Sequence, residues 1–293
     1  MYLVSPNHPP PMHKLVLLFP ILLICCSKAP DDDRTQYFPK IEEKPEVIPD
    51  KNNVWAFLLA GQSNMAGRAK VEPVDTLPNA GVLALNTNGE LVIAKEPLHR
   101  YEPAIAGLGS GLSFGKELLK HIPDSVAVLL IPTAVGGSAI EQWINDSTHR
   151  SVPLLTNFKQ KTEIAKEYGT IKGVLWHQGE SDAREPEKIA SYDRHLQTLF
   201  NYFREVANDP GLPILIGELG SFSETDEAWQ SINSKIREYL EADPNSFAVQ
   251  THDLDHKGDR IHFNSEGQRE LGKRFAEKFI EIEQSTSRNG VGK

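Results

Sequence analysis

From Val54 onward the chain alternates short apolar runs with helix-length segments, and few folds accept that rhythm. The runs Val54–Ala60, Val82–Leu85, Val126–Ile131, Ile171–Trp176, Pro213–Ile216 and Phe247–Gln250 are strand-length. Several are β-branched and continuously apolar rather than alternating, which suits strands buried on both faces of a parallel sheet. Between them, Leu112–His121, Leu154–Tyr168, Glu187–Val206, Asp226–Leu240 and Ser265–Glu283 read as helices. The third begins just after Pro186 and carries Ile189, Tyr192, Leu196, Leu199, Phe200 and Phe203 at helical spacing. Strand and helix in alternation, joined by short links, predict a doubly wound α/β domain with a mainly parallel central sheet. No internal repeat and no second boundary follows residue 50. Residues 51–285 therefore read as one domain and 286–293 as a tail.

The first fifty residues follow other rules. Leu15 to Ile24 are apolar, preceded by His13 and Lys14 and closed by Cys25 and Cys26. As a helix that run rises about 15 Å, half the bilayer core, so it reads as a signal segment over residues 1–25 rather than a membrane span. Met12 is a candidate start. Leu23-Ile24-Cys25-Cys26 resembles the lipobox of bacterial lipoproteins, with Cys26 as the lipidated residue. The polar, acidic and proline-containing stretch that follows predicts a flexible tether over residues 26–50. This places the protein in the bacterial cell envelope, facing the periplasm or the cell surface, with membrane contact through the lipid anchor alone.

A net charge of −9 argues against a nucleic-acid partner, which would need a basic face. Cys25 and Cys26 are the only cysteines, so neither a disulfide framework nor a cysteine zinc site is available.

Open α/β sheets bind ligands at the carboxyl ends of their strands, so the residues just past each run carry the functional reading. After the first come Gly61-Gln62-Ser63-Asn64-Met65, where glycine allows a tight turn that exposes the serine hydroxyl. The same residues also suit a plain turn with Ser63 as a helix cap. After Ile131 come Thr133-Ala134-Val135-Gly136-Gly137-Ser138, whose paired glycines allow backbone N–H groups close to a ligand. After Trp176 come His177-Gln178-Gly179-Glu180-Ser181-Asp182, where the Gln178 amide is a candidate oxyanion donor. His177 and Glu180 lack further ligands at metal spacing, so no metal is expected. Near the C-terminus, Asp259 precedes His262 by three residues, a spacing that lets a carboxylate orient an imidazole.

Together these segments resemble the SGNH-type hydrolases, in the branch of sialate O-acetylesterases and carbohydrate-esterase family six acetylxylan esterases. The matching residues are Gly61-Gln62-Ser63-Asn64-Met65, Gly136-Gly137-Ser138 with Trp143, Trp176 to Asp182, and Asp259-Arg260-Ile261-His262-Phe263. The resemblance covers about Val54 to Ile280. It implies a flavodoxin-like three-layer sandwich and a serine esterase that removes O-acetyl groups from a carbohydrate through an acetyl-enzyme. Ser63 would be nucleophile and His262 base, with the Ser63 N–H, a Gly136 or Gly137 N–H and Gln178 as oxyanion hole. Gln62, Asn64 and Trp143 would line the substrate. The acid partner stays open: Asp259 has the local spacing and is preferred, while Glu180 is the candidate the branch suggests. No cofactor is implied, since neither a Gly-x-Gly-x-x-Gly after a strand nor a Walker sequence occurs.

Gly111-Leu112-Ser113-Phe114-Gly115 offers a rival nucleophile elbow, but the residues before it form a poor strand. A lipid-anchored glycan-binding module would share the aromatics without needing Asp259 and His262. A lipase of the same fold should show apolar loops, whereas Arg68-Ala69-Lys70 and Asn145 to Arg150 are polar.

Overall fold

The structure is a computed structural model that describes residues 1–3 and 33–290. Cys26, the apolar run Leu15–Ile24 and residues 291–293 lie outside the described residues.

The chain enters its sheet with β1 (Val54–Gly61), followed at once by the single-turn α1 (Ser63–Ala66). Then come β2 (Val82–Leu85), β3 (Leu91–Ile93), α2 (Gly111–Leu118), β4 (Ala127–Pro132) and α3 (Ile140–Ile144). A small hairpin, β5 (Thr148–His149) and β6 (Val152–Pro153), leads into α4 (Leu154–Tyr168) and β7 (Thr170–His177). The chain closes with α5 (Pro186–Ala207), β8 (Ile214–Gly217), α6 (Asp226–Ala242), β9 (Ser246–Val249) and α7 (Ser265–Gly290).

Among the described residues, seven strands form the main sheet in the order β3-β2-β4-β1-β7-β8-β9. All neighbours are parallel except β3, which runs antiparallel to β2 at the edge. The chain thus builds β2 to β4 on one side of β1 and then crosses to build β7 to β9 on the other. β1 lies at the switch, and its carboxyl end opens a crevice between the ends of β4 and β7.

Alternate residues of β1 face opposite layers. Phe57 and Leu59, with Leu130, Leu175 and Leu215, pack under α2 and α7 through Phe114, Phe275 and Phe279. Ala56 and Leu58, with Ile131, Trp176 and Ile216, pack under α4, α5 and α6 through Phe158, Leu196, Phe200 and Ile232. The result is the expected three-layer α/β sandwich, and burial on both sheet faces explains the unbroken apolar runs. Trp55 packs on Phe279 and Trp229 on Phe222, so both serve the packing.

Two boundary expectations need correction. Residues 33–50 do not read as a free tether, because Arg34 donates to the carbonyls of Ala104 and Ala106 and Phe38 packs on Ala69, Val71 and Leu108. The Ile93 N–H of β3 also donates to the Glu43 carbonyl at 2.7 Å, so the proline-containing run closes the sheet edge. At the other end, residues 286–290 continue α7 instead of starting a separate tail.

Candidate active site

The site is assembled at the end of β1. Gly61 has φ +129°, and a Cβ there would run into the carbonyl oxygen of His177 at the end of β7. Glycine therefore lets the two strand ends close up, and the Gln62 N–H donates to that same carbonyl at 2.9 Å. Ser63 follows as the first residue of α1, directly over the crevice.

Ser63 Oγ lies 3.0 Å from His262 Nε2, although 199 positions separate them in sequence. His262 Nδ1 lies 2.7 Å from Asp259 Oδ2. An ionised carboxylate only accepts, so the ring proton sits on Nδ1 and Nε2 is left to accept from the serine hydroxyl. The other Asp259 oxygen accepts from the Ile261 and His262 N–H groups at 3.0 and 2.9 Å. Burial pushes the Asp259 carboxyl up, but the His262 ring and these two amides outweigh it and hold it below the usual carboxylate range. Serine hydroxyl, imidazole and carboxylate thus stand in one hydrogen-bonded line.

Glu180 does not reach the His262 ring. It is buried and accepts from Asn64 Nδ2 at 2.6 Å, with His177 Nδ1 3.7 Å away. Asn64 Nδ2 also donates to the Ile261 carbonyl at 3.0 Å, and Asn64 Oδ1 accepts from the Phe263 N–H at 3.1 Å. The expectation that Asn64 lines the substrate is therefore corrected: its side chain is fully buried and brackets His262 from both neighbours. Glu180 is hydrogen-bonded to the histidine loop's holder Asn64 and not to the histidine itself.

The loop after β4 docks on the same turn, with the Val135 N–H donating to the Gly61 carbonyl at 3.1 Å. Gly137 holds φ +75°, and its N–H finds no acceptor among the described residues, as is true of the Ser63 N–H. The Gly136 N–H differs: it donates to Glu102 Oε2 at 2.7 Å, which corrects its assignment as a free oxyanion donor. Gln178 needs the same correction. Its Nε2 faces Gln62 Oε1, Ser138 O and Asp182 Oδ2 at 3.1, 3.0 and 2.5 Å, and its Oε1 accepts from the Tyr192 hydroxyl at 2.9 Å. The amide is turned into the protein beneath the serine.

Gln62 is buried in that network, accepting also from the Ser181 N–H at 3.2 Å. Trp143 is fully buried too, edge-on to Trp176 and donating from Nε1 to Ser138 Oγ at 2.9 Å. It supports the glycine loop from behind and is not placed to stack on a ligand. The rival Ser113 lies within α2, donates to the Ser110 carbonyl at 3.0 Å and faces Gly272 of α7, away from the crevice.

Residues 53–281 match the family described as carbohydrate esterase, sialic acid-specific acetylesterase. A protein of Arabidopsis thaliana named as a probable carbohydrate esterase is 30% identical over an alignment 260 residues long, which covers 82% of this chain and 95% of the relative. The chain belongs to this family. It is a carboxylic ester hydrolase acting on carbohydrate esters. The crystal structure of the Arabidopsis protein shares 28% identity and a TM-score of 0.69, covering 78% of this chain and 98% of its own. NanS (17% identity, TM-score 0.65) covers 82% of this chain and all of its own, and a carbohydrate acetylesterase from Xanthomonas citri (21%, TM-score 0.58) covers 76% and 55%. These last two share the fold.

Around the glycine loop the esterase carries a charged cluster that sequence reasoning missed. Buried Arg68 pairs with Glu102 at 2.6 Å and donates to the Gly67 carbonyl at 2.7 Å. Arg150, from the β5–β6 turn, takes the other Glu102 oxygen. Desolvation pushes the Glu102 carboxyl up, but Arg68, the Gly136 N–H and Arg150 bring it below its ordinary range. His149 donates from Nε2 to the Gly136 carbonyl at 3.0 Å and so holds the far side of the loop. The polar loops Arg68-Ala69-Lys70 and Asn145 to Arg150 were the visible signal, though not their meeting.

Proposed function

We propose that this esterase removes O-acetyl groups from a carbohydrate, either an acetylated xylan-type polysaccharide or O-acetyl sialic acid, through an acetyl-enzyme. The observation that carries the reading is the continuous line Asp259–His262–Ser63 beside two unengaged backbone N–H groups. Ser63 Oγ attacks the acetyl carbonyl as His262 Nε2 takes its proton, and Asp259 stabilises the imidazolium. The tetrahedral oxyanion is held by the N–H groups of Ser63 and Gly137. His262 returns the proton to the leaving sugar oxygen, and water, activated in the same way, then releases acetate and regenerates the serine. Family membership, and the acetylesterase named among the structural neighbours, support acetate as the acyl group.

The test is acetate release from acetylated xylan and from 9-O-acetyl sialic acid by the protein and by Ser63→Ala. Release by the parent and its loss in a folded Ser63→Ala supports the reading. Activity surviving in Ser63→Ala, or no release from either substrate by folded parent protein, overturns it.

A further inference from the structure

Resting on that reading, we propose that Arg150 is a specificity-determining residue that reads a carboxylate on the sugar leaving from Ser63. Three observations carry it. First, the turn joining β5 to β6 is two residues long, and both Arg150 and Ser151 hold positive φ (49° and 66°). Paired positive φ is the backbone of a tight hairpin turn, here made without glycine, and it fixes where the arginine starts. Second, the guanidinium folds back toward the glycine loop. One nitrogen is held by Glu102, while Nη2 lies 3.5 Å from the point a Cβ on Gly137 would occupy. The Arg150 donors not on Glu102 have no acceptor among the described residues, and the side chain is 45% exposed.

Third, the charge does not balance. The Glu102 carboxylate is shared between Arg68 and Arg150. One carboxylate between these two guanidinium groups leaves a local positive excess in a chain whose net charge is −9. That excess borders the loop whose Gly137 N–H faces the reacting oxyanion. Arg68 is buried and committed to Glu102 and Gly67, so Arg150 is the arginine placed to meet a ligand. A planar guanidinium matches a carboxylate through paired hydrogen bonds, which a hydroxyl-only sugar cannot satisfy.

The experiment compares kcat/KM for an O-acetylated sugar acid with that for the same sugar carrying a carboxamide in place of the carboxylate, reading acetate release. The expected preference for the acid is about 10- to 100-fold, the value of a charge-assisted hydrogen bond. It should fall with added salt because Arg150 is half-exposed. Arg150→Gln should bring the ratio to about one, and Arg150→Lys, keeping charge without the fork, should leave it in between. The proposal is overturned by a parent ratio near one, or by a ratio that a folded Arg150→Gln does not move. If Arg150→Gln does not fold, an unchanged ratio in Arg150→Lys together with no salt dependence overturns it. Failure of the parent to release acetate from either sugar would instead sink the esterase reading itself.

Discussion

Asn64 holds a position out of proportion to its size. Its amide donates to Glu180 and to the Ile261 carbonyl, and its oxygen accepts from the Phe263 N–H, so it grips the residues on both sides of His262. The proposed mechanism requires the imidazole to meet Ser63 Oγ at hydrogen-bond distance, and small misplacements are costly. Asn64→Ala should lower kcat about 100-fold with little change in KM, as steady-state kinetics on an activated acetate ester would show. Asp259→Asn should be harsher, about 10⁴-fold in kcat, because the amide favours the wrong imidazole tautomer. Gln178 is a different case. With its amide turned into the network of Gln62, Ser138, Asp182 and Tyr192, Gln178→Ala should cost about 1–3 kcal/mol of stability in a thermal or urea melt. A lower kcat with unchanged stability would restore it as an oxyanion donor.

Among the elements, α7 does more than cover the sheet. Gln268 donates to the Asn64 carbonyl at 2.9 Å, and Arg269 reaches Glu72 and Asp75 in the loop after α1. Asp75 is buried and Arg269 is its cationic partner, so Arg269→Ala should destabilise the fold by about 3–5 kcal/mol, measurable by chemical denaturation. At this scale the sequence was readable where burial wrote a strong pattern. Each doubly buried strand is an apolar run, and α5 shows its stripe from Ile189 to Phe203. Short pieces escaped: β3 has three residues, and β5, β6, α1 and α3 are too brief for any periodicity to show. The serine turn and the histidine loop were visible as motifs. Whether their neighbours faced inward or outward was not, since chain order does not say which way a side chain such as Trp143 or Gln178 turns. Glu102 was invisible for another reason, its partners lying 34 and 48 positions away.

For the whole molecule, the buried carboxyl of Glu96 links folding to pH. Desolvation outweighs the N–H groups of Leu98, Gly109 and Leu112 and raises it to about 8 from an ordinary 4.5. The folded chain therefore keeps a proton that the unfolded chain releases above about pH 4.5, so this group's contribution falls as pH rises toward 8 and then levels off. Glu96→Gln, which mimics the neutral form, should flatten the dependence of Tm on pH across that window. The envelope location remains our proposal from Leu23-Ile24-Cys25-Cys26: Cys26→Ser should abolish incorporation of a labelled fatty acid in bacterial cells.

Ser63 and His262 stand 199 positions apart, and the histidine loop is held by Asn64, which the last helix holds in turn. A ribosome delivers Ser63 long before it delivers His262. On the proposed mechanism, a chain cut anywhere before residue 262 keeps the serine and loses the group that would activate it.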